Sequence, residues 1–203
     1  MNPSLVGSEM CIRDSIGPAF MSGRIADIAI NPSNENEWYV AVGSGGVWKT
    51  SNSGTTWLPL TDDQSFYSTG SITIDPNNNN TIWLGTGENV GGRHVGIGKG
   101  IYVSYNGGKT WENKGLKKSE HISKIIVNKD DSNTILVASQ GPLWSSGGER
   151  GLYKSSDGGD NWRSVLNVDE WTGVTDIIVD SRDQNIMYAC LLYTSDAADD
   201  GLS

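Results

Sequence analysis

"SYNGGKTW" (residues 104–111) is the stretch that decides the fold, because the chain nearly repeats it twice, as "TSNSGTTW" (50–57) and "SSDGGDNW" (155–162). Aligned on Trp57, Trp111 and Trp162, the copies stand 54 and then 51 residues apart. The likeness extends upstream. "GGVWKTSNSGTTW", "KGIYVSYNGGKTW" and "RGLYKSSDGGDNW" each run glycine, apolar residue, aromatic and then a strand-like pair whose second member opens the octet. Before each lies an apolar alternation, a polar turn and a second alternation: "RIADIAINPSNENEWYVAVG", "GSITIDPNNNNTIWLGTG" and "ISKIIVNKDDSNTILVASQG". A fourth copy begins as "VTDIIVDSRDQNIMYA". Repeats of about fifty residues with four short strands each describe the blades of a propeller.

The first unit predicts strands near 24–30, 37–43, 46–51 and 55–60. Segments such as "IADIAI" and "IIVN" have the Ile and Val richness of strands buried on both faces. "NPSNEN" and "DPNNNN" read as turns, since Pro presets φ and Asn or Asp can bond its own backbone. No helical period persists over a useful length, so few helices are expected. The expected fold is all-β: an incomplete β-propeller of about three four-stranded blades plus the start of a fourth.

Composition agrees and excludes several functions. The 203 residues include 26 Gly, which suits many tight turns. A formal net charge of −9 disfavours nucleic acid, which needs a basic surface, and equally disfavours an anionic membrane. No apolar run approaches the ~20 residues of a membrane span. Cys11 and Cys190 are the only cysteines, so neither a disulfide framework nor a cysteine-rich zinc site is expected.

Both ends depart from the repeat. "SLVGSEMCIRDS" (4–15) and "CLLYTSDAADDGLS" (190–203) resemble translated sequencing-adapter read-through. The expected organisation is therefore a non-native or irregular flank at 1–15, a partial propeller at 16–189 and a second such flank at 190–203. On that reading both ends of the natural segment are cut, and the isolated piece should expose unpaired strand edges and be prone to aggregate.

The octets resemble the Asp-box, or BNR repeat, S-x-D-x-G-x-T-W, of sialidases, sortilin-type propellers and several glycoside hydrolases. In that motif the octet is a structural hairpin between a blade's last two strands. The matching positions are Thr50, Asn52, Gly54 and Trp57; Ser104, Asn106, Gly108 and Trp111; Ser155, Asp157, Gly159 and Trp162. Asn52, Asn106 and Asp157 are expected to accept backbone N–H bonds in the turn, the glycines to supply its backbone freedom, and the Trp side chains to pack between sheets. Two copies carry Asn for Asp, one begins with Thr, and Asn161 replaces the motif's Thr; each swap keeps hydrogen-bonding capacity. The family places these boxes on the face opposite the ligand. "IGPAFMSGRIADIAINP", "GGVWKT" and "GLYKSSDGG" are similar to bacterial glycosyl-hydrolase-like BNR proteins over nearly all of 16–189.

Function is then expected on the other face, where second-to-third strand loops and blade connections meet. These segments hold Glu88, Arg93, His94, His121, Trp144, Arg150, Glu170 and Trp171. Aromatics with carboxylates and arginines suit a carbohydrate or a protein or peptide ligand. A glycosidase needs two carboxyl groups roughly 5 Å or ~6.5–9.5 Å apart. Xyloglucanase-type propellers carry an Asp in a first-blade pattern like R-T-D-I-G-G, whereas "AVGSGGVW" puts Ser44 near that place. Nor is "SGRIADI" a sialidase entry motif. His94 and His121 lack a close-spaced third ligand, so no metal and no cofactor is expected. The leading expectation is a ligand-binding or scaffold module of a secreted or surface protein, extracellular or periplasmic, whose other partners are its remaining blades. A glycoside hydrolase with acids partly in further blades is the alternative, and an accessory module for a peptidase or secretion system is a third.

Overall fold

A computed structural model of the chain describes residues 24–89, 95–184 and 186–194. The N-terminal flank at 1–15, Arg93 and His94 lie outside the described residues, as does most of the C-terminal flank.

Every regular element is a strand, and no helix occurs among the described residues. Blade one holds β1 (Ile25–Ile30), β2 (Trp38–Val42), β3 (Gly46–Thr50) and β4 (Leu58–Pro59). Blade two holds β5 (Thr69–Asp75), β6 (Asn78–Thr86), β7 (Ile101–Ser104) and β8 (Glu112–Asn113). Blade three holds β9 (Ile122–Asn128), β10 (Asp131–Ser139), β11 (Gly151–Ser155) and β12 (Arg163–Leu166). Each is an antiparallel meander in chain order. The fourth unit contributes β13 (Thr172–Val179) and β14 (Met187–Tyr193), a two-stranded sheet whose second strand runs past residue 189.

The innermost strands β1, β5, β9 and β13 stand side by side. Polar side chains tie them together. Ile72 N–H donates to Asp27 Oδ2 at 3.0 Å, the Thr73 hydroxyl to Ile125 O at 2.9 Å, and the Ser123 hydroxyl to Val174 O at 2.9 Å. Each inner pair also carries a register shift near one end, between Ile25 and Asp27, Thr69 and Ser71, Ala138 and Ser139, and Val174 and Asp176. Such bulges increase local twist and end the pairing, which splays the chain into loops there.

Packing is between blades, as expected for radial sheets. Tyr39, Ala41 and Val47 of blade one meet Ile72, Ile74, Ile82, Leu84 and Tyr102 of blade two. One unit later Trp83, Ile101 and Val103 meet Ile125, Val127, Ile135 and Val137. A third, smaller cluster joins Leu136, Ala138 and Leu152 to Val174 and Ile177. Gly87 sits where the blades crowd. Its φ is 86°, and a Cβ there would lie 1.7 Å from Glu120 O, so no side chain fits.

The octets form the turn between each blade's third and fourth strands, with one hydrogen-bond circuit used three times. The position-one hydroxyl accepts from the glycine N–H: Gly54 to Thr50 at 2.9 Å, Gly108 to Ser104 at 2.8 Å and Gly159 to Ser155 at 2.8 Å. The position-three oxygen accepts from the backbone four residues on, in each case at 2.9 Å: Thr56 to Asn52, Thr110 to Asn106 and Asn161 to Asp157. The three glycines have φ of 86°, 89° and 87°, the left-handed conformation that the turn demands.

One expectation needs correction. The octet tryptophans do not all bury between sheets. Trp111 and Trp162 are half-buried against the preceding blade, and their indole Nε1 atoms donate to Leu60 O at 3.2 Å and Lys114 O at 2.6 Å. Trp57 is 42% exposed and lies tilted against Trp38 of its own blade, with ring centroids 6.5 Å apart and planes at 58°. No blade precedes it among the described residues, so its indole has nothing to enter.

Candidate functional site

Each blade has a mouth at the bulged end, where the second strand turns toward the third and the previous connection arrives. The same backbone bond closes three of them: Gly43 N–H to Arg24 O at 2.7 Å, Gly87 N–H to Ser68 O at 3.0 Å, and Gln140 N–H to His121 O at 2.9 Å. Counting from these bonds, Ser44, Glu88 and Gly141 are equivalent, each one residue past the bonded amide. Only the second blade presents an acid there.

Glu88 is 2% exposed and its Oε1 accepts from Arg24 Nε at 2.6 Å, an ion pair that crosses from blade two to the start of β1. The carboxylate fits because Gly43 lacks a side chain: a Cβ there would lie 2.4 Å from Oε1. Oε2 has no partner. The Glu88 backbone is held as firmly. Its N–H donates to Gly96 O at 3.0 Å, and its carbonyl accepts from His121 Nδ1 at 2.9 Å. A carbonyl only accepts, so neutral His121 carries its proton on Nδ1. Burial pushes the imidazole pKa below its usual value, opposed by Glu88 and helped by Arg150, so His121 is uncharged at neutral pH. Further round, Gln140 Nε2 donates to Asn89 O at 3.1 Å while Gln140 Oε1 is buried without a partner among the described residues.

Arg150 is only 1% exposed, and its guanidinium is spent on the protein's own backbone. Nε donates to Gly147 O at 2.8 Å, and Nη1 to Gln140 O at 2.9 Å, Trp171 O at 3.2 Å and the Thr194 hydroxyl at 2.8 Å. Nη2 donates to Pro142 O and Ser145 O. Burial lowers its pKa, offset in part by the fields of Glu120 and Asp169. A planar five-donor group suits this fork of carbonyls in a way lysine does not. Arg150 therefore positions loops, and it has no donor left for a ligand. What it fixes is the third blade's loop against the connection into β13, a junction closed also by Gly147 N–H to Glu170 O at 2.8 Å. That connection is a tight turn, since Trp171 and Thr172 N–H both donate to Asp169 Oδ1 and hold its carboxyl below the ordinary range. The junction presents Trp144, 57% exposed, with exposed Glu170 and half-buried Trp171.

The expected residues therefore divide. Glu88, His121 and Arg150 are brought together as buried brackets of the mouth, and Trp144, Glu170 and Trp171 form an accessible aromatic and acidic rim. Sequence reasoning missed Arg24 as the partner of Glu88, although the very short "GSGG" loop was the signal that blade one leaves room for a neighbour's side chain. It also missed Gln140. No group of three or more His, Cys, Asp or Glu among the described residues is arranged to hold a metal.

No family model matches the chain. Among curated proteins it is 25% identical over 189 residues to a probable oligoxyloglucan-reducing end-specific xyloglucanase of Neosartorya fischeri, a match covering 86% of this chain and 23% of the relative. It is 26% identical over 182 residues to the xyloglucanase Xgh74A of Acetivibrio thermocellus, covering 81% and 20%. The chain thus spans between a fifth and a quarter of the length of these relatives. Among solved structures, an ancestral GH74 enzyme superposes with a TM-score of 0.63 at 22% identity, over 85% of this chain and 22% of that one. The GH74 enzyme of Niastella koreensis gives 0.59 at 20% identity, over 82% and 26%. Sheet order, blade packing and these superpositions agree that the chain is an all-β sector of a β-propeller of the kind seen in the GH74 enzymes.

Proposed function

We propose that this chain is a sector of a secreted propeller glycoside hydrolase that acts on a polysaccharide. The reading rests on the extent of the likeness to xyloglucanases, which takes in more than four-fifths of the chain. The sector's part is to hold sugar. Trp144 offers an exposed aromatic face for a pyranose ring, and Glu170 and the Trp171 turn supply polar groups beside it. The catalytic acids come from blades beyond this sector: Ser44 stands near where the first-blade acid of the xyloglucanase pattern would be, and Glu88 is paired with Arg24. Within the same proposal the octets are Asp-boxes of the sialidase and sortilin superfamily, residues 16–189 are the native segment, and both flanks are foreign to it.

A second reading is favoured by the same Ser44 and the locked Glu88, namely a binding or scaffold propeller with no turnover. Assay of the uninterrupted parent polypeptide on xyloglucan and other plant and microbial polysaccharides separates the two. The hydrolase reading expects turnover, with Trp144→Ala raising KM about tenfold or more and leaving kcat close to the parent value, as loss of a stacking contact made equally in ground and transition states should. Retention on a polysaccharide column without turnover favours the binding module. Neither turnover nor retention overturns both.

A further inference from the structure

The second octet carries the chain's one Asn-Gly pair, Asn106–Gly107, where the first has Asn52–Ser53 and the third Asp157–Gly158. Asparagine is a thermolabile amide, and a following glycine leaves the next backbone nitrogen unshielded by any side chain. Asn106 is exposed, so water reaches its side chain.

The fold occupies both groups that would react. Gly107 N–H, the nitrogen that would attack, donates to Asn80 O at 2.8 Å, and Gly107 O accepts from the Tyr39 hydroxyl of blade one at 3.5 Å. The Asn106 amide, the group that would be attacked, is held at both ends. Its Oδ1 accepts from the Ser104 hydroxyl at 3.0 Å and from Thr110 N–H at 2.9 Å, and its Nδ2 donates to Thr110 Oγ1 at 2.8 Å. All of these bonds join the turn to itself or to the strands beside it, so local opening of the hairpin releases them together.

We infer that Asn106 is a self-modification site gated by its octet: an amide while the turn is closed, aspartate or isoaspartate once it has opened. In the open turn Gly107 gives its amide proton to hydroxide and attacks Asn106 Cγ. The N–Cγ bond forms, the Cγ–Nδ2 bond breaks, and Nδ2 leaves as ammonia with a proton from water. Water then adds to one carbonyl carbon of the cyclic imide, the ring C–N bond at that carbon breaks, and the nitrogen regains a proton. Addition at Cγ gives aspartate, and addition at the backbone carbon gives isoaspartate. The net change is one water consumed and one ammonia released.

The two products differ in consequence. Aspartate suits the turn, as Asp157 shows at the equivalent place in blade three, where its Oδ1 accepts from Asn161 N–H at 2.9 Å. Isoaspartate routes the backbone through the side chain and adds a methylene, which displaces Gly107 N–H from Asn80 O. The inference rests on the octet alone, whatever the ligand of the mouth.

The test incubates the full 203-residue chain in mildly alkaline buffer beside a synthetic peptide copying residues 102–113. Asn106 is followed by peptide mapping and mass spectrometry, with enzymatic methylation to count isoaspartate. Conversion in the chain should be slower than in the peptide by about thirtyfold or more, the scale of protection that a modest local opening equilibrium gives. Thr110→Val, at an exposed position, removes the acceptor of Asn106 Nδ2 and should quicken conversion about fivefold without changing the far-ultraviolet circular dichroism. Asn52 sits in the same circuit but precedes Ser53, and it should convert far more slowly than Asn106 when the chain is unfolded in urea. Equal rates in chain and peptide overturn the inference, as does a Thr110→Val chain no faster than the parent. Absence of conversion at Asn106 in urea, or conversion of Asn52 at the same rate, overturns it equally.

Discussion

At the level of single residues, the third octet shows how a turn tolerates substitution. In the first two units an amide stands at position three and a threonine at position seven, and the amide donates: Asn52 Nδ2 to Thr56 Oγ1 at 2.9 Å and Asn106 Nδ2 to Thr110 Oγ1 at 2.8 Å. In the third, Asp157 cannot donate, and Asn161 reverses the bond by giving Nδ2–H to Asp157 Oδ2 at 2.8 Å. The donors from Asn161 and the Ser155 hydroxyl hold the Asp157 pKa at about 2. Asp157→Asn alone leaves two amides competing and is expected to lower the urea midpoint, and adding Asn161→Thr to recover it. The folded pKa lies below the unfolded one, so the carboxylate contributes fully above about pH 4 and its contribution is lost as pH falls through about 2. Urea titrations at about pH 5 and about pH 2.5 should therefore show the natural chain losing ground to the double variant in acid. These swaps were legible from residue types alone, because the circuit is local. The exposure of Trp57 was not, since it depends on a neighbour that the octet does not encode.

Whole elements were legible where their pattern is local and were misjudged where their job is to serve another blade. The predicted strands of blade one, 24–30, 37–43, 46–51 and 55–60, fall on β1 to β4, with the last shortened to two residues because the octet turn takes up the rest. The mouth loops are a different matter. Arg150 reads in sequence as a rim residue, yet it follows a loop whose carbonyls, from Gln140, Pro142, Ser145 and Gly147, all turn inward to meet it. No periodicity announces such a fork. Its consequence is measurable. Arg150→Met strips the donor from several buried carbonyls at once and should cost about 3–5 kcal/mol, the range for breaking a buried, hydrogen-bonded charge. Hydrogen exchange should quicken through residues 140–149 and stay unchanged in β1 and β2, which belong to blade one and not to the blade that carries the fork. Uniform quickening across the chain would contradict a local clamp.

For the molecule as a whole, the account is that of equal radial sheets, each reaching back to the one before. Among the described residues both ends of the array present apolar faces. Ile28 and Ile30, the counterparts of Ile72 and Ile74, are about half exposed on blade one, and β14 is exposed along its length. Broad apolar faces and a free strand edge favour association in solution. The repeat made the wheel readable from sequence. The mouth was only partly readable, because bracketing residues such as Arg24 and Glu88 lie 64 positions apart and meet only where blades one and two pack together.

The most direct measurement replaces Trp57, Trp111 and Trp162 by alanine, one at a time, in the 203-residue chain and compares urea unfolding. Trp111→Ala and Trp162→Ala should each cost about 2–4 kcal/mol, from lost packing between blades and a lost indole hydrogen bond. Trp57→Ala, at the same place in its blade but with no sheet to enter among the described residues, should cost less than about 1 kcal/mol. Three equal losses, or a larger loss at Trp57, would contradict the radial arrangement on which every other conclusion depends.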